Sequence, residues 1–234
     1  MSRAWVILLA GAAVLVATTA ALASPQFVST FAGTYTAQKP GSSSGLDALS
    51  TWSDPGEPGG KPKEIQKIKV LFARGTKLDT RALPTCNASA EDVANLAVRA
   101  CPRKTKLGEV RGQGVYAGSG APFNTFATLF NAKRQIIVVV TLDNPKGRLL
   151  STFRDDVERS SITINLKIGR GISLVRFQAH VPPHARKHGK KRRVYFTTPP
   201  SCPRTGMWTT TVIFSYRDGS SEQRSASTPC RVKA

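Results

Sequence analysis

The sequence Ile162-Thr-Ile-Asn-Leu-Lys-Ile168 alternates apolar and polar side chains from end to end. Because successive side chains of a β-strand point to opposite faces, the pattern predicts a strand with one buried face. Gly169-Arg-Gly171 follows and predicts a hairpin turn into a second strand, Ile172 to Val181. The buried face of that strand is predicted to carry Val175, Phe177, Ala179 and Val181.

Segments of the same kind lie on both sides of this pair. Ile136-Ile-Val-Val-Val140 is β-branched throughout and too short to span a membrane, which indicates a buried strand. Met207 to Tyr216 alternates and gives a further strand. Short strands separated by frequent turn residues predict an all-β fold, an antiparallel sandwich of immunoglobulin-like or jelly-roll-like type. We expect one domain over residues 24–234, with a sub-boundary near residue 105 as the alternative.

The first 23 residues have the order of a secretory signal peptide. Arg3 is the only charge before a long apolar run, and Ala21-Leu-Ala23 supplies the small residues of a cleavage site. The alternative is an uncleaved membrane anchor, because Trp5 to Ala23 approaches the roughly 20 residues that cross a bilayer. No positive cluster follows the run to stop transfer. We therefore expect cleavage after Ala23 and a secreted or cell-wall-associated protein that is not integral to the membrane.

The four cysteines, Cys86, Cys101, Cys202 and Cys230, form an even set. In an exported chain an even set favours disulfides over free thiols. Zinc sites use close pairs such as C-x2-C, whereas these spacings are C-x14-C and C-x27-C. Several pairings are possible, and the local structure predicted around each cysteine selects between them.

A short helix is predicted between the first two cysteines. Ser89-Ala-Glu-Asp92 resembles a capping box with Asp in place of the usual Glu or Gln, and Pro102 ends the element. Asp218-Gly219 is a strong hairpin signal, and a turn centred there brings the last cysteine back toward the third. We therefore predict the disulfides Cys86–Cys101 and Cys202–Cys230, and neither pair is predicted to be catalytic.

The chain has a formal net charge of +20 at pH 7, and the positive excess lies entirely in residues 65–234. A field of this size attracts anionic polymers without reading their sequence. The densest patch is predicted to be a hairpin tip between strands that end at Val181 and start at Val194. It contains Arg186, Lys187, His188, Lys190, Lys191, Arg192 and Arg193.

Outside the cytoplasm, the partners available to this patch are anionic polymers of the cell envelope or matrix. The patch contains no aromatic residue besides its histidine. Stacking on the bases of a single strand is therefore disfavoured, and no specific nucleic acid is expected as a partner.

The three histidines, His180, His184 and His188, follow an H-x3-H-x3-H spacing. On a helix this spacing would align them for a metal ion, but Pro182-Pro183 prevents a regular helix there. His180 is expected on the exposed face of its strand. The sequence therefore predicts no metal site, with these residues as the weak alternative, and no cofactor.

Asp155, Asp156 and Glu158 form an acidic cluster in a stretch predicted to lie between strands. Two carboxylates at the right separation hydrolyse glycosides. The neighbouring Arg154 and Arg159 instead favour surface ion pairs, and no catalytic residue is predicted.

Turn residues, cysteines and apolar strand residues follow one another along the chain in a characteristic order. They are Asp54-Pro, Gly60-Lys-Pro62, Phe72 to Asp79, the Cys86 segment, Cys101-Pro102 with Gly108, Thr198-Pro-Pro-Ser-Cys202-Pro, Gly206-Met-Trp208, Phe214-Ser-Tyr216, Asp218-Gly219 and Thr228-Pro-Cys230. In these motifs the chain resembles a group of exported β-rich proteins of high-GC soil actinobacteria. The resemblance spans most of the chain after the leader, and it implies a fold but no activity and no functional residue.

These patterns predict a non-enzymatic exported sandwich that associates with anionic polymers through its basic surface. One alternative is a secreted hydrolase or lyase that acts on polysaccharide. The other is a structural or interaction protein whose charge is incidental.

Overall fold

The computed structural model describes residues 26–57, 60–188 and 191–232, except for the side chain of His188. The first strands are β1 (Val28–Tyr35), β2 (Leu46–Ser53), β3 (Ile65–Leu71), β4 (Lys77–Leu78), β5 (Lys106–Tyr116), β6 (Pro122–Ala132), β7 (Gln135–Leu142) and β8 (Leu149–Asp156). They are followed by β9 (Ser161–Asn165), β10 (Ile172–Val181), β11 (Ala185–His188), β12 (Lys191–Val194), β13 (Phe196–Thr197), β14 (Met207–Tyr216) and β15 (Ser221–Pro229). The helix α1 (Ala90–Leu96) lies between β4 and β5, with 3-10 turns at Thr80–Ala82, Ala97–Ala100 and Arg103–Thr105.

Two antiparallel sheets form the body of the protein. The large sheet has the strand order β1-β2-β10-β5-β6-β7-β8, and the small sheet has the order β15-β14-β3-β9. Apolar side chains of both sheets meet in one core, among them Val70 and Ile164 of the small sheet and Val138 and Phe153 of the large one. The structure thus confirms the antiparallel sandwich with one short helix among the described residues.

The link between β9 and β10 differs from the sequence prediction. β9 pairs with β3 in the small sheet, while β10 pairs with β2 and β5 in the large one. Gly169-Arg-Gly171 is therefore a crossing between the sheets and not a hairpin turn, because alternation identifies the buried face of a strand but not its partner. A bulge between Leu174 and Arg176 brings Leu174 to the interior face where the sequence predicted Val175.

Strand β7 is covered on both faces, which explains its unbroken apolar sequence. The even-numbered side chains of residues 136–140 face the small sheet. Ile137 and Val139 instead lie under the segment that contains α1 and the first disulfide. Each such fully buried side chain contributes about 1.5–3 kcal/mol relative to an exposed one.

Both predicted disulfides, Cys86–Cys101 and Cys202–Cys230, are present. Ser89 and Asp92 form the predicted capping box at the start of α1, with each side chain accepting from the backbone N–H of the other residue. The hairpin of β14 and β15 turns at Asp218-Gly219, where Gly219 has a φ of 85° that favours glycine.

The two sheets approach each other along both long sides of the sandwich. On one side β1 lies beside β15, and the Tyr35 backbone N–H donates to the Thr228 hydroxyl at 3.1 Å. On the other side β8 turns directly into β9, and Val157 and Ile162 form a bridge before the two strands diverge into different sheets.

Strands from before and after residue 105 pair in both sheets, as β2 does with β10 and β3 with β9. Among the described residues, no helix combines the length and the apolar character that a membrane span needs. The predicted leader, residues 1–23, lies outside the described residues.

Candidate functional site

The basic patch forms a small hairpin of its own. β11 and β12 pair with each other alone, in the region where the sequence predicted a hairpin tip between Val181 and Val194. Arg186, Lys187 and Arg192 are exposed on this ladder. Lys190 of the predicted patch lies outside the described residues. We refer to residues 185–194 as the basic hairpin.

Like charges face each other across the basic hairpin. Arg186 lies opposite Arg193, and Lys187 lies opposite Arg192. Within the described part of the chain, none of these four side chains has a carboxylate within ion-pair distance. Like charges directly opposite each other destabilise a strand pair by a few tenths to about 1 kcal/mol, so an anion bound here relieves repulsion.

The base of the basic hairpin is fixed to the body of the protein. The ring Nε2 of His184 lies 2.7 Å from the Leu107 carbonyl oxygen, at the start of β5. The Tyr195 backbone N–H donates to the His184 carbonyl oxygen at 3.0 Å, and the Asp79 N–H donates to the Tyr195 carbonyl oxygen at 2.8 Å. These contacts place the basic hairpin at the end of the sandwich where β10 finishes.

The opposite end of the sandwich has a different arrangement of charge. Asp218 pairs with Lys63 at 2.9 Å, and Glu64 pairs with Arg217 at 3.2 Å. Hydrogen bonds from Ser220 and Lys63 lower the pKa of Asp218 to about 2. Acidic residues therefore compensate cations at this end, whereas the basic hairpin contains no acidic residue.

His180 and His184, two of the three histidines in the weak metal alternative, have separate partners. His180 lies on the exposed face of β10, as expected, and its Nδ1 is 2.6 Å from a carboxylate oxygen of Asp47. His184 instead contacts the Leu107 carbonyl oxygen, and the side chain of His188 is outside the described structure. Among the described residues, no group of three or more His, Cys, Asp or Glu side chains could hold a metal ion.

The acidic cluster is also divided by the fold. Asp155 and Asp156 belong to β8, and not to a polar link between strands as the sequence predicted. Strand alternation buries Asp155, which is 1% exposed, and leaves Asp156 on the outer face beside Gln135. Arg154 does not pair with either acid and donates to the Ala88 carbonyl oxygen. Asp155 and Asp156 thus do not face a common cleft as a glycosidase pair must.

The interior of the sandwich contains an apolar cavity of about 180 Å³ lined by both sheets. Beside the cavity, small side chains lie next to one another on four neighbouring strands of the large sheet. In strand order they are Ala48, Ala179, Val110 and Ala127. The inward-facing Phe177 is only partly buried, as are several of its apolar neighbours. Since protein interiors are normally close-packed, partial exposure on an inner face shows that these side chains line open space.

Two buried polar atoms belong to residues that line this cavity. The Asp155 Oδ1 accepts from the Asn165 backbone N–H at 2.8 Å, while its Oδ2 has no hydrogen-bond partner in the protein. The hydroxyl of Tyr195, a residue only 3% exposed, also has no partner. Burial raises the pKa of both groups above their ordinary values. The Tyr195 phenol therefore stays protonated and can donate.

No family model, curated protein or solved structure matches this chain. The resemblance to exported actinobacterial proteins therefore stays a prediction. Two features of the described structure can bind a ligand, the basic hairpin and the interior cavity.

Sequence reasoning identified the basic hairpin but missed the cavity. The hairpin is visible as a run of Lys and Arg in the sequence. The cavity depends on which alanines become neighbours across strands, and register is not readable from one strand alone. A polar groove on the outer face of the large sheet was also missed, and it contains Arg111, Arg176 and Asp143 with Gln113, Asn124 and Gln178.

Proposed function

We propose that this protein is an extracellular sandwich that binds anionic polymers of the cell envelope or matrix through the basic hairpin. The main support is the cross-strand register, in which Arg186 lies opposite Arg193 and Lys187 lies opposite Arg192 on a ladder without acidic residues. A polymer with regularly spaced phosphates or carboxylates supplies the missing counter-charge at both pairs. Its binding also releases condensed counterions, which gives affinity without sequence recognition.

The compartment supports this partner class. Two disulfides are typical of proteins in oxidising surroundings outside the cytoplasm. The leader predicted over residues 1–23 also indicates export from the cytoplasm. We propose that the mature protein is secreted or associated with the cell wall. Arg111 and Arg176 add two exposed cations on β5 and β10, in an outer groove of the large sheet that also contains Asp143.

The decisive experiment compares two variants of equal charge. One replaces Arg186, Lys187, Arg192 and Arg193 by Gln. The other replaces four exposed cations at the opposite end of the sandwich, which are Lys146, Arg148, Lys167 and Arg170. Binding of each purified protein to poly(glycerol phosphate) is measured across a salt series.

We expect the hairpin variant to bind more weakly and its logarithmic salt dependence to be shallower by about 3, since each lost phosphate contact contributes roughly 0.7–0.9 to the slope. The control variant should retain most of the wild-type slope, because only its long-range field changes. Equal losses in the two variants would show that the net charge acts without a site. Absence of wild-type binding at low salt would refute the proposal altogether.

A further inference from the structure

We propose that the interior cavity binds one small aliphatic alcohol, a neutral single chain that carries a terminal hydroxyl. This ligand differs in chemistry from the anionic polymer proposed for the basic hairpin, and it lies inside the sandwich, whereas the hairpin cations lie on the surface. The proposal rests on the shape of the cavity and on the two unpartnered polar atoms of its lining residues.

The dimensions and lining of the cavity select a slender apolar ligand. Both sheets surround it with apolar side chains, and the row of Ala48, Ala179 and Ala127 leaves room where larger residues would close the core. An apolar cavity of about 150 Å³ in another protein stays dry and binds benzene, so about 180 Å³ suits a ligand of roughly six to ten non-hydrogen atoms.

The polar atoms determine the end group of the ligand. The Asp155 Oδ2 needs a donor when it is ionised, and the Tyr195 hydroxyl needs an acceptor. A ligand hydroxyl is both donor and acceptor, so it can serve either atom once a rotation of that side chain opens the atom, which has almost no accessible surface in this structure, to the cavity. A ligand carboxylate would instead bring a second negative charge to the buried Asp155, which disfavours an ionised fatty acid. Leaving such buried groups unpaired is costly, and this cost is recovered when the hydroxyl binds.

The first test is calorimetric titration of the wild-type protein with 1-alkanols from butanol to decanol. We expect affinity to rise with chain length, to pass through a maximum near hexanol to octanol, and to fall when the chain exceeds the cavity. The heat capacity change should be negative, as for burial of apolar surface. 1-Methoxyheptane has the same number of non-hydrogen atoms as 1-octanol but cannot donate. It should bind about tenfold more weakly, since the hydrogen bond to Asp155 is lost.

The second test fills the cavity. Ala179→Phe places a ring in the open space, whereas Gln178→Phe adds the same ring to the exposed face of the same strand. We expect 1-octanol binding to disappear in Ala179→Phe and to be unchanged in Gln178→Phe. If Ala179→Phe does not fold, Ala48→Leu makes a smaller insertion at the neighbouring position.

Undiminished octanol binding in the folded filling variants would place the ligand elsewhere and overturn the proposal. So would a wild-type protein that binds no alkanol. The variant without the four cations of the basic hairpin should bind 1-octanol as the wild type does, so failure of the polymer proposal and failure of this one are distinguishable.

Discussion

Replacement of Asn131 by aspartate should destabilise the protein more than any other substitution of one polar atom on β6. Asn131 is fully buried at the end of that strand. Its Nδ2 is 2.8 Å from the Thr80 carbonyl oxygen, 3.0 Å from that of Pro84 and 3.3 Å from that of Leu83. Its backbone carbonyl oxygen accepts from the Cys86 N–H at 2.7 Å, whereas its side-chain Oδ1 has no partner in the protein. The side chain of Asn131 thus holds residues 80–84, and its backbone holds Cys86, at the start of the segment that contains α1.

The expected loss in the free energy of unfolding follows from these contacts. An amide nitrogen has only two hydrogens for the three carbonyl oxygens, so Asn131→Asp removes about two hydrogen bonds. Each buried carbonyl left unsatisfied costs about 1–3 kcal/mol, which gives roughly 3–4 kcal/mol before any charge is considered. At neutral pH an ionised carboxylate would also face carbonyl oxygens, so the true loss is larger. The new carboxyl should have a raised pKa, and its charge penalty is absent in acid and appears as the pH rises through that raised value.

The assay is urea unfolding at pH 7 and pH 4 with both disulfides intact. Asn124→Asp is the matched control, because it makes the same substitution on the same strand at an exposed position. We expect the control to stay within about 0.5 kcal/mol of the wild type. A free energy of unfolding for Asn131→Asp within that same range at pH 7 would contradict this prediction. So would a loss of stability that is no smaller at pH 4 than at pH 7.

Three further predictions concern the rest of the fold. Double serine substitution of the Cys202–Cys230 disulfide, which spans 28 residues of sequence, should lower the free energy of unfolding in urea by about 3–4 kcal/mol on the chain-entropy estimate. Burial raises the pKa of Asp155, and the neighbouring charge of Asp156 adds to this effect. Hydrogen bonds from Asn165 and the charge of Lys167 oppose it but do not outweigh it. The wild type should therefore lose stability relative to Asp155→Asn as the pH rises from 4 to 7, and a constant difference in urea midpoint would contradict this. Tyr35→Phe leaves the buried Ala73 N–H without its 3.0 Å partner and should cost about 2 kcal/mol by thermal or urea unfolding.

The elements of this fold are largely predictable from local pattern. Alternation over Met207 to Tyr216 gives β14 and its buried face, and the β-branched run at residues 136–140 gives the buried strand β7. The disulfide pairing is predictable as well, since the helix signals and Asp218-Gly219 each bring two cysteines together within a short segment. These features depend on residues close in sequence, and local chemistry determines them.

Features that depend on distant pairing are not predictable in this way. Gly169-Arg-Gly171 has the composition of a hairpin turn but joins two different sheets. Asp155 looks like a surface residue among charged neighbours, and only its position on β8 turns it inward. The basic hairpin is evident from composition, whereas its cross-strand charge pairs require the register of β11 and β12.

The two sheets approach each other along both long sides, and this affects how readily the protein aggregates at high concentration. An exposed strand edge offers unpaired backbone groups to another molecule and is a common start of aggregation. Here side chains occupy several of those groups. The Thr228 hydroxyl accepts from β1 at Tyr35, the Arg224 guanidinium donates to the Ser29 carbonyl oxygen at 3.1 Å, and the Asp155 carboxylate accepts from β9 at Asn165. Strand-to-strand addition from a second copy is therefore hindered where the sheets meet, and we expect the protein to stay monomeric along these edges at high concentration.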